Sequence, residues 1–262
     1  MTKILLVGCG KMGSALLSGW LDQGIAAADM VVVEPALPAL GVAVMADQAA
    51  IPAGFNPDVV VLAVKPQVMA QVLPPYARFQ GAVFLSIAAG KPIDFFRTHL
   101  GPSAAIIRAM PNTPAAVRRG ITVCCAGSGI GDAQRLLAET LLSAVGEVGW
   151  IEDESLMDAV TAVSGSGPAY LFLLAEVMAQ AGVAQGLPED LAVRLARATV
   201  AGSGELLRQS SESAAQLRQN VTSPGGTTAA ALGVLMADSN GLPGLMNQAV
   251  EAAVRRGREL AG

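Results

Sequence analysis

Two glycine-marked stretches carry the residue types that could hold a charged small molecule. The first is "VGCGKMG", which sets Gly8, Gly10 and Gly13 in a Gly-x-Gly-x-x-Gly spacing between an apolar run and a helical pattern. Each glycine has a physical task in that context. Gly8 permits a tight turn, Gly10 lets a pyrophosphate approach the backbone, and Gly13 lets the helix lie close to its strand. Cys9, Lys11 and Met12 fill the loop, Cys9 as a small spacer. The start of the helix then offers free N–H donors and positive potential to phosphate. This is the fingerprint of a dinucleotide-binding βαβ unit.

Three further positions fit that reading. Glu34 ends the second apolar run, where a carboxylate accepts hydrogen bonds from the adenine ribose hydroxyls and repels a 2′-phosphate. No arginine or lysine in "EPALPALGVAV" would hold such a phosphate, so the residues favour NADH over NADPH. The alternative is a plain surface glutamate. "AVKPQ" supplies Ala63, Val64, Lys65 and Pro66 at the carbonyl end of a third strand. Lys65 there either reaches a phosphate or the nicotinamide ribose, or is simply solvated. "SIAAG" ends the fourth strand with Ile87, Ala88 and Ala89, small enough for a flat ring to lie close.

The second stretch is "NVTSPGGTT", residues 220–228. Read as a helix start it has Ser223 at the N-cap, Pro224 at N1, Gly225 at N2 and Gly226 at N3. The first-turn N–H groups have no partner inside a helix, and glycines leave them bare. A carboxylate held there gains about 1.5–3 kcal/mol per charge-assisted bond; the alternative is a packed helix start capped by Ser223. Thr227 and Thr228 follow, and the Thr228 hydroxyl can face the same spot about one turn in.

A nicotinamide cofactor implies hydride transfer, and the protein offers little to move protons. The one histidine, His99, lies at the far end of a helix and reads as structural or exposed. All four lysines precede residue 92. The second half therefore lacks the lysine of the β-hydroxyacid dehydrogenases, which share a two-domain layout. Cys124 and Cys125 are neighbours on a strand, point to opposite faces, and read as core. No metal-ligand spacing is present, so no metal is expected. The substrate should be one that needs little acid–base help, such as an imine, whose protonated form already attracts hydride.

These residues need a frame to position them. Apolar runs at 3–7, 30–34, 58–64, 82–87, 104–109, 121–126 and 147–151 alternate with helical patterns at 11–23 and from Pro66. Strands that apolar, separated by helices, indicate a parallel sheet covered on both faces. Beyond about residue 152 the patterns are helical, at 153–163, 168–182, 188–208, 212–219, 224–237 and 243–260. The expected fold is an α/β Rossmann-type N-terminal domain over 1–152 and an all-α domain over 153–262. With 52% hydrophobic and 15% charged residues, the chain can bury a core and need not be disordered. The apolar helical half is expected to bury surface against a second copy. A net charge of −4 without a basic block disfavours nucleic acid and membrane surfaces as partners. The run "PAYLFLLAEVMAQAGVA" carries Glu176 and is short for a bilayer, so it reads as a buried helix. Three cysteines make no disulfide framework and the start resembles no secretory leader, so a cytoplasmic location is expected.

At this point the chain resembles the Δ1-pyrroline-5-carboxylate reductases. "LRQNVTSPGGTTAAALGVLMAD" is similar to that family's signature, and "AVKPQ", "SIAAG", "RAMPNTPAAVRRG" and "DAVTAVSGSGPAYLF" fall in its order and spacing. The resemblance covers essentially the whole chain. It implies NAD(P)H-dependent reduction of 1-pyrroline-5-carboxylate to L-proline, and helix-exchanged dimers often built into a decamer. It also implies that Asn220, Val221 and Ser223, Pro224, Gly225, Gly226, Thr227 and Thr228 surround the substrate, the loop backbone holding the carboxylate and Thr228 meeting the ring nitrogen. Gly8 to Gly13, Ala63 to Pro66 and Ile87 to Ala89 would line the cofactor, with Glu154 and the 164–168 turn nearby. Many members end the second strand with an uncharged residue and prefer NADPH, whereas this chain has Glu34. Two other readings predict different behaviour: a reductase of a six-membered cyclic imino acid, and a catalytically silent nucleotide-sensing protein.

Overall fold

The computed structural model describes residues 2–36 and 39–261. The N-terminal half forms one sheet from β1 (Ile4–Val7), β2 (Met30–Val33), β3 (Ala43–Met45), β4 (Val59–Leu62), β5 (Val83–Ser86), β6 (Ala105–Met110), β7 (Gly120–Ala126) and β8 (Gly146–Ile151). Between them run α1 (Lys11–Asp22), α2 (Met69–Val72), α3 (Ile93–Leu100) and α4 (Asp132–Leu142). The strand order is β3-β2-β1-β4-β5-β6-β7-β8. The order reverses between β1 and β4, which pair directly, Val7 opposite Leu62. Such a switch point opens a crevice at the carbonyl ends of the two strands, and both glycine-loop and "AVKPQ" segments leave the sheet there.

The strands are apolar on both faces because both faces are covered. Ile4, Leu6, Val32, Val59, Val61 and Leu85 pack with Leu16, Trp20, Leu141 and Leu142 on one side. Leu5, Val7, Val31, Val60, Leu62 and Phe84 pack with Tyr76, Phe96 and Met157 on the other. Trp20 donates its indole N–H to the Leu141 carbonyl at 2.8 Å, tying α1 to α4 beneath the sheet.

Three local expectations need correction. β3 is an additional short strand; its residues lack the long β-branched run of the others, and it pairs only with β2 at the sheet edge. β7 runs antiparallel to β6, so the sheet is not wholly parallel. The connection from Met110 to Gly120 is too short for the crossover that a parallel neighbour requires. The helix expected from Pro66 begins at Met69; Pro66 lies in a turn in which the Val68 N–H donates to the Lys65 carbonyl at 3.2 Å.

Beyond β8 the chain makes a 3-10 turn (Glu154–Leu156), α5 (Met157–Val160), a π-helical turn (Thr161–Gly165), α6 (Gly167–Ala184), α7 (Glu189–Gln209), α8 (Ala214–Asn220), α9 (Thr227–Leu235) and α10 (Leu242–Ala261). Two compact units result: Met1–Gly165 with Ala253–Gly262, and Ser166–Ala252. The C-terminal turns of α10 belong with the first unit, where Gly257 admits the Asp158 side chain; a Cβ there would stand 3.0 Å from its Oδ1. In the second unit α6 and α7 pack closely, since Gly182 leaves room for Leu187 and Ala192. The burial expected of α6 is not supplied within one chain: Leu171, Phe172 and Leu173 are 53%, 68% and 57% exposed. The continuous helical run 154–184 is long and apolar enough to cross a membrane by length and composition, the one such run among the described residues.

Candidate active site

The first unit builds a cradle at the β1/β4 crevice. Gly8 takes φ +89°, and a Cβ there would stand 2.8 Å from Val64 Cγ1 and 2.9 Å from the Ala63 carbonyl oxygen. Only glycine fits such a left-handed, crowded position. A Cβ on Gly13 would come within 2.5 Å of the Gly8 carbonyl oxygen, so that glycine sets how closely α1 lies on β1. A Cβ on Gly10, in contrast, would meet open space. Gly10 is the N-cap of α1 and no side chain caps the helix, while Ser14 is the first whose N–H reaches back, to the Gly10 carbonyl at 2.8 Å. The Lys11, Met12 and Gly13 N–H groups thus stand at a helix start with open space before them. The residues present fit the pyrophosphate of a dinucleotide.

The rim of the cradle gathers the other expected positions of this unit. Ala63 N–H donates to the Val7 carbonyl at 2.8 Å and Ile87 N–H to the Leu62 carbonyl at 3.2 Å, so three loops leave adjacent strand ends. Lys65 and Ala89 are exposed, Ala88 is buried, and Val64 and Ile87 are half-buried. Glu34 follows β2 and reaches back to the glycine loop: its Oε2 accepts the Cys9 N–H at 2.8 Å, and its Oε1 accepts the Ala36 N–H at 3.3 Å. Burial, then the Glu34 carboxylate, push the Cys9 thiol up from its ordinary value.

In the second unit the "SPGG" segment differs from the expected helix start. Gly226 N–H donates to the Ser223 carbonyl at 3.0 Å, and Gly225 takes φ +70°. With Pro224 at the second position and a left-handed glycine at the third, this is a type II turn. α9 begins at Thr227, and Gly226, not Ser223, is its N-cap. The left-handed position demands glycine at 225, and the turn consumes the Gly226 N–H. The bare donors are therefore those of Thr227, Thr228 and Ala229, since the Ala230 N–H is the first to reach an acceptor, Gly226 O at 3.1 Å. No side chain caps α9, and the Thr228 hydroxyl, half-buried, makes no hydrogen bond among the described residues. Val221 is 64% exposed beside this turn. Asn220 is held by its own helix and the bend before it: its Nδ2 donates to Glu212 at 3.0 Å and its Oδ1 accepts from Gln216 at 2.8 Å. The reading of the sequence did not single out Glu212 or Gln216. The four-residue spacing of Gln216 and Asn220 on one helix is the available signal for that pair.

Two further groups are placed by the fold. Glu154 accepts from Arg108 Nη1 at 2.8 Å and from the Ile93 N–H at 2.9 Å. Arg108 itself was not singled out, because a lone arginine inside "AAIIRAM" looks no different from a strand-edge charge. The 164–168 turn contains the π-helical residues up to Gly165, where a Cβ would meet Met110 Cε at 2.6 Å. Single π-turns inside α-helical runs are rare and occur frequently at functional sites.

Of the other side chains with reactive atoms, Cys124 and Cys125 are buried and His99 is half-buried. Cys124 and Cys125 face opposite sides of the sheet, and burial pushes the Cys124 thiol up to about 12. Burial, then Glu154, raise Cys125, with Arg108 opposing. His99 Nδ1 lies 2.8 Å from the Phe95 carbonyl within α3, a structural contact. No cluster of three metal-ligating side chains occurs among the described residues.

Comparison with known proteins places this arrangement. A family model described as pyrroline-5-carboxylate reductase dimerisation matches residues 154–260, and one described as NADP oxidoreductase, coenzyme F420-dependent, matches residues 3–90. The chain is 41% identical to pyrroline-5-carboxylate reductase of Pseudomonas aeruginosa, over 99% of this chain and 97% of that one. The pyrroline-5-carboxylate reductase structure from Coxiella burnetii is 36% identical and superposes with a TM-score of 0.92, over 100% of this chain and 99% of that one. The Plasmodium falciparum pyrroline carboxylate reductase, solved with NADP bound, is 30% identical with a TM-score of 0.85, over 100% and 98%.

Proposed function

This chain belongs to the pyrroline-5-carboxylate reductase family, and we propose that its two glycine-marked segments divide the work of that family's reaction. The reaction is NAD(P)H-dependent reduction of 1-pyrroline-5-carboxylate to L-proline. The dinucleotide, when bound, supplies the hydride that the imine carbon accepts.

The protein's own part is to bind, orient and stabilise. Gly8, Cys9, Gly10, Lys11, Met12 and Gly13 hold the pyrophosphate, Glu34 the adenine ribose, and residues 63–66 and 87–89 line the nicotinamide half. Asn220, Val221 and Ser223 to Thr228 hold the pyrroline. Its carboxylate is taken by the N–H groups at the start of α9. The Thr228 hydroxyl hydrogen-bonds the ring nitrogen, which loses its positive charge as the carbon is reduced. Positioning and this local electrostatics supply the acceleration, with no histidine or lysine required.

The observation that carries the reading is the start of α9: three N–H donors and one hydroxyl that make no hydrogen bond among the described residues, behind a type II turn. Glu34 supports a preference for NADH. Its carboxylate is anchored on Cys9 and would face a 2′-phosphate with like charge. Self-association runs through the region matched by the dimerisation model, and that role accounts for the apolar surface of α6. Assembly of dimers into a decamer is the larger arrangement that the resemblance implies, and sedimentation velocity reads it directly. Three free cysteines suit a reducing cytoplasm.

Oxidation of NADH and of NADPH, each followed with 1-pyrroline-5-carboxylate, tests the function. Turnover with a higher kcat/KM for NADH is expected. A clear NADPH preference removes the role given to Glu34, and no turnover with either removes the reaction itself.

A further inference from the structure

Arg108 is a guanidinium held at 6% exposure in the middle of a sheet, on the face it shares with Ile106 and Phe96. Its neighbours across β5 and β7 are Ser86 and Cys125, so apolar side chains would fit the site sterically. Its carboxylate partner Glu154 comes from a separate segment after β8. The arginine is buried, while the Glu154 side chain keeps 29% of its exposure. Replacing a largely desolvated pair with well-packed apolar residues is often neutral or stabilising, so stability alone does not explain it. What the pair does provide is position. The same Oε1 that binds Arg108 accepts the N–H of Ile93, the first residue of α3. Pro92, the N-cap, has no side chain able to do this, so Glu154 caps α3 from 61 positions away.

That cap fixes one end of the loop from Ile87 to Pro92. The other end is held at β5, where Ile87 N–H donates to the Leu62 carbonyl at 3.2 Å and Ala88 N–H to Ser86 Oγ at 3.3 Å. Between them Gly90 takes φ +69°. We propose that Arg108 and Glu154 are a positioning pair that sets where residues 87–90 lie, and hence where the nicotinamide ring is seated for the transfer. Neither touches the reacting atoms. The inference rests on the reading that residues 87–89 line the nicotinamide.

Stability, turnover and partial-ligand binding separate this from a plain structural role. Glu154→Gln keeps an acceptor for Ile93 but leaves Arg108 without its counter-charge; it should lower both Tm and kcat, the latter about tenfold. The apolar pair Arg108→Leu/Glu154→Leu should recover Tm but not kcat. In both variants ADP-ribose, which lacks the nicotinamide, should bind as in the parent. Recovery of kcat together with Tm in the double variant overturns the proposal, as does a loss of ADP-ribose affinity equal to the loss of turnover. Ala89→Leu checks the underlying reading: it should impair turnover and intact dinucleotide binding. If it changes neither, residues 87–89 do not line the nicotinamide and the proposal falls with that reading; if it impairs both while the double variant turns over normally, only the positioning pair is refuted.

Discussion

Glu34 and Cys9 are joined by a 2.8 Å hydrogen bond from the Cys9 N–H to the Glu34 carboxylate, so the acidic residue after β2 is part of the glycine loop. This fixes one carboxylate oxygen beside the glycine loop. Glu34→Ser removes the charge and the bond together. The ratio of kcat/KM for NADPH over NADH should rise by about tenfold or more, as like-charge repulsion of the 2′-phosphate disappears. An unchanged ratio means that Glu34 does not read the ribose.

Gly225 stands in the left-handed region at φ +70°, with open space around its missing Cβ. Gly225→Ala therefore meets no clash but costs about 1–2 kcal/mol in backbone strain. The turn before α9 should relax and KM for 1-pyrroline-5-carboxylate should rise, while dinucleotide affinity holds. Isothermal titration with the dinucleotide, alongside steady-state kinetics, separates the two effects.

Thr228→Val keeps the shape of the side chain and deletes its hydroxyl. We expect kcat/KM to fall about 100-fold with dinucleotide affinity unchanged, the size of effect seen when one preorganised donor is lost. Wild-type kinetics in this variant would show that the ring nitrogen finds its partner elsewhere.

Two buried groups tie stability to high pH. Burial pushes the Cys124 thiol from its ordinary 9.0 up to about 12, and burial, resisted by Arg78 and assisted by Asp47, takes the Tyr76 phenol from 10.0 up to about 12. Both raised values mean that the folded chain keeps protons that the unfolded chain releases. The stability is thus fully present below pH 9 and is lost as pH rises toward about 12. Urea titrations on either side of that window should show the fall, and Cys124→Ala should make it shallower.

Phe172 lies 68% exposed on α6, in the region matched by the dimerisation model. Phe172→Asp should weaken the dimer by about 2 kcal/mol or more, roughly 30-fold in its dissociation constant. Sedimentation across a concentration series reads this; an unmoved dimer would place the contact elsewhere on the helices.

Much of this protein is written locally. Gly8, Gly10 and Gly13 at their spacing, and runs such as "KILLV" and "DVVVLAV", specify a strand, a turn and a helix from sequence because each demand is met by adjacent residues. "SPGGTT" likewise announces a bare helix start. The sequence pattern misplaced the cap by three residues because Ser223 is a good N-cap in isolation, and a Pro-Gly type II turn competes for the same atoms. Other features arise only from long-range contact. That β7 turns antiparallel to β6 follows from a connection length acting on a sheet already formed. That Glu154 caps α3 while neutralising Arg108 joins residues 46 and 61 positions apart, and no periodicity encodes such a meeting. Sequence determined which segments offer bare helix-start N–H groups, Lys11 to Gly13 and Thr227 to Ala229, since those are built from consecutive residues. Tertiary structure decided that Arg108 meets Glu154, since a guanidinium can be desolvated only where a distant segment brings it a partner.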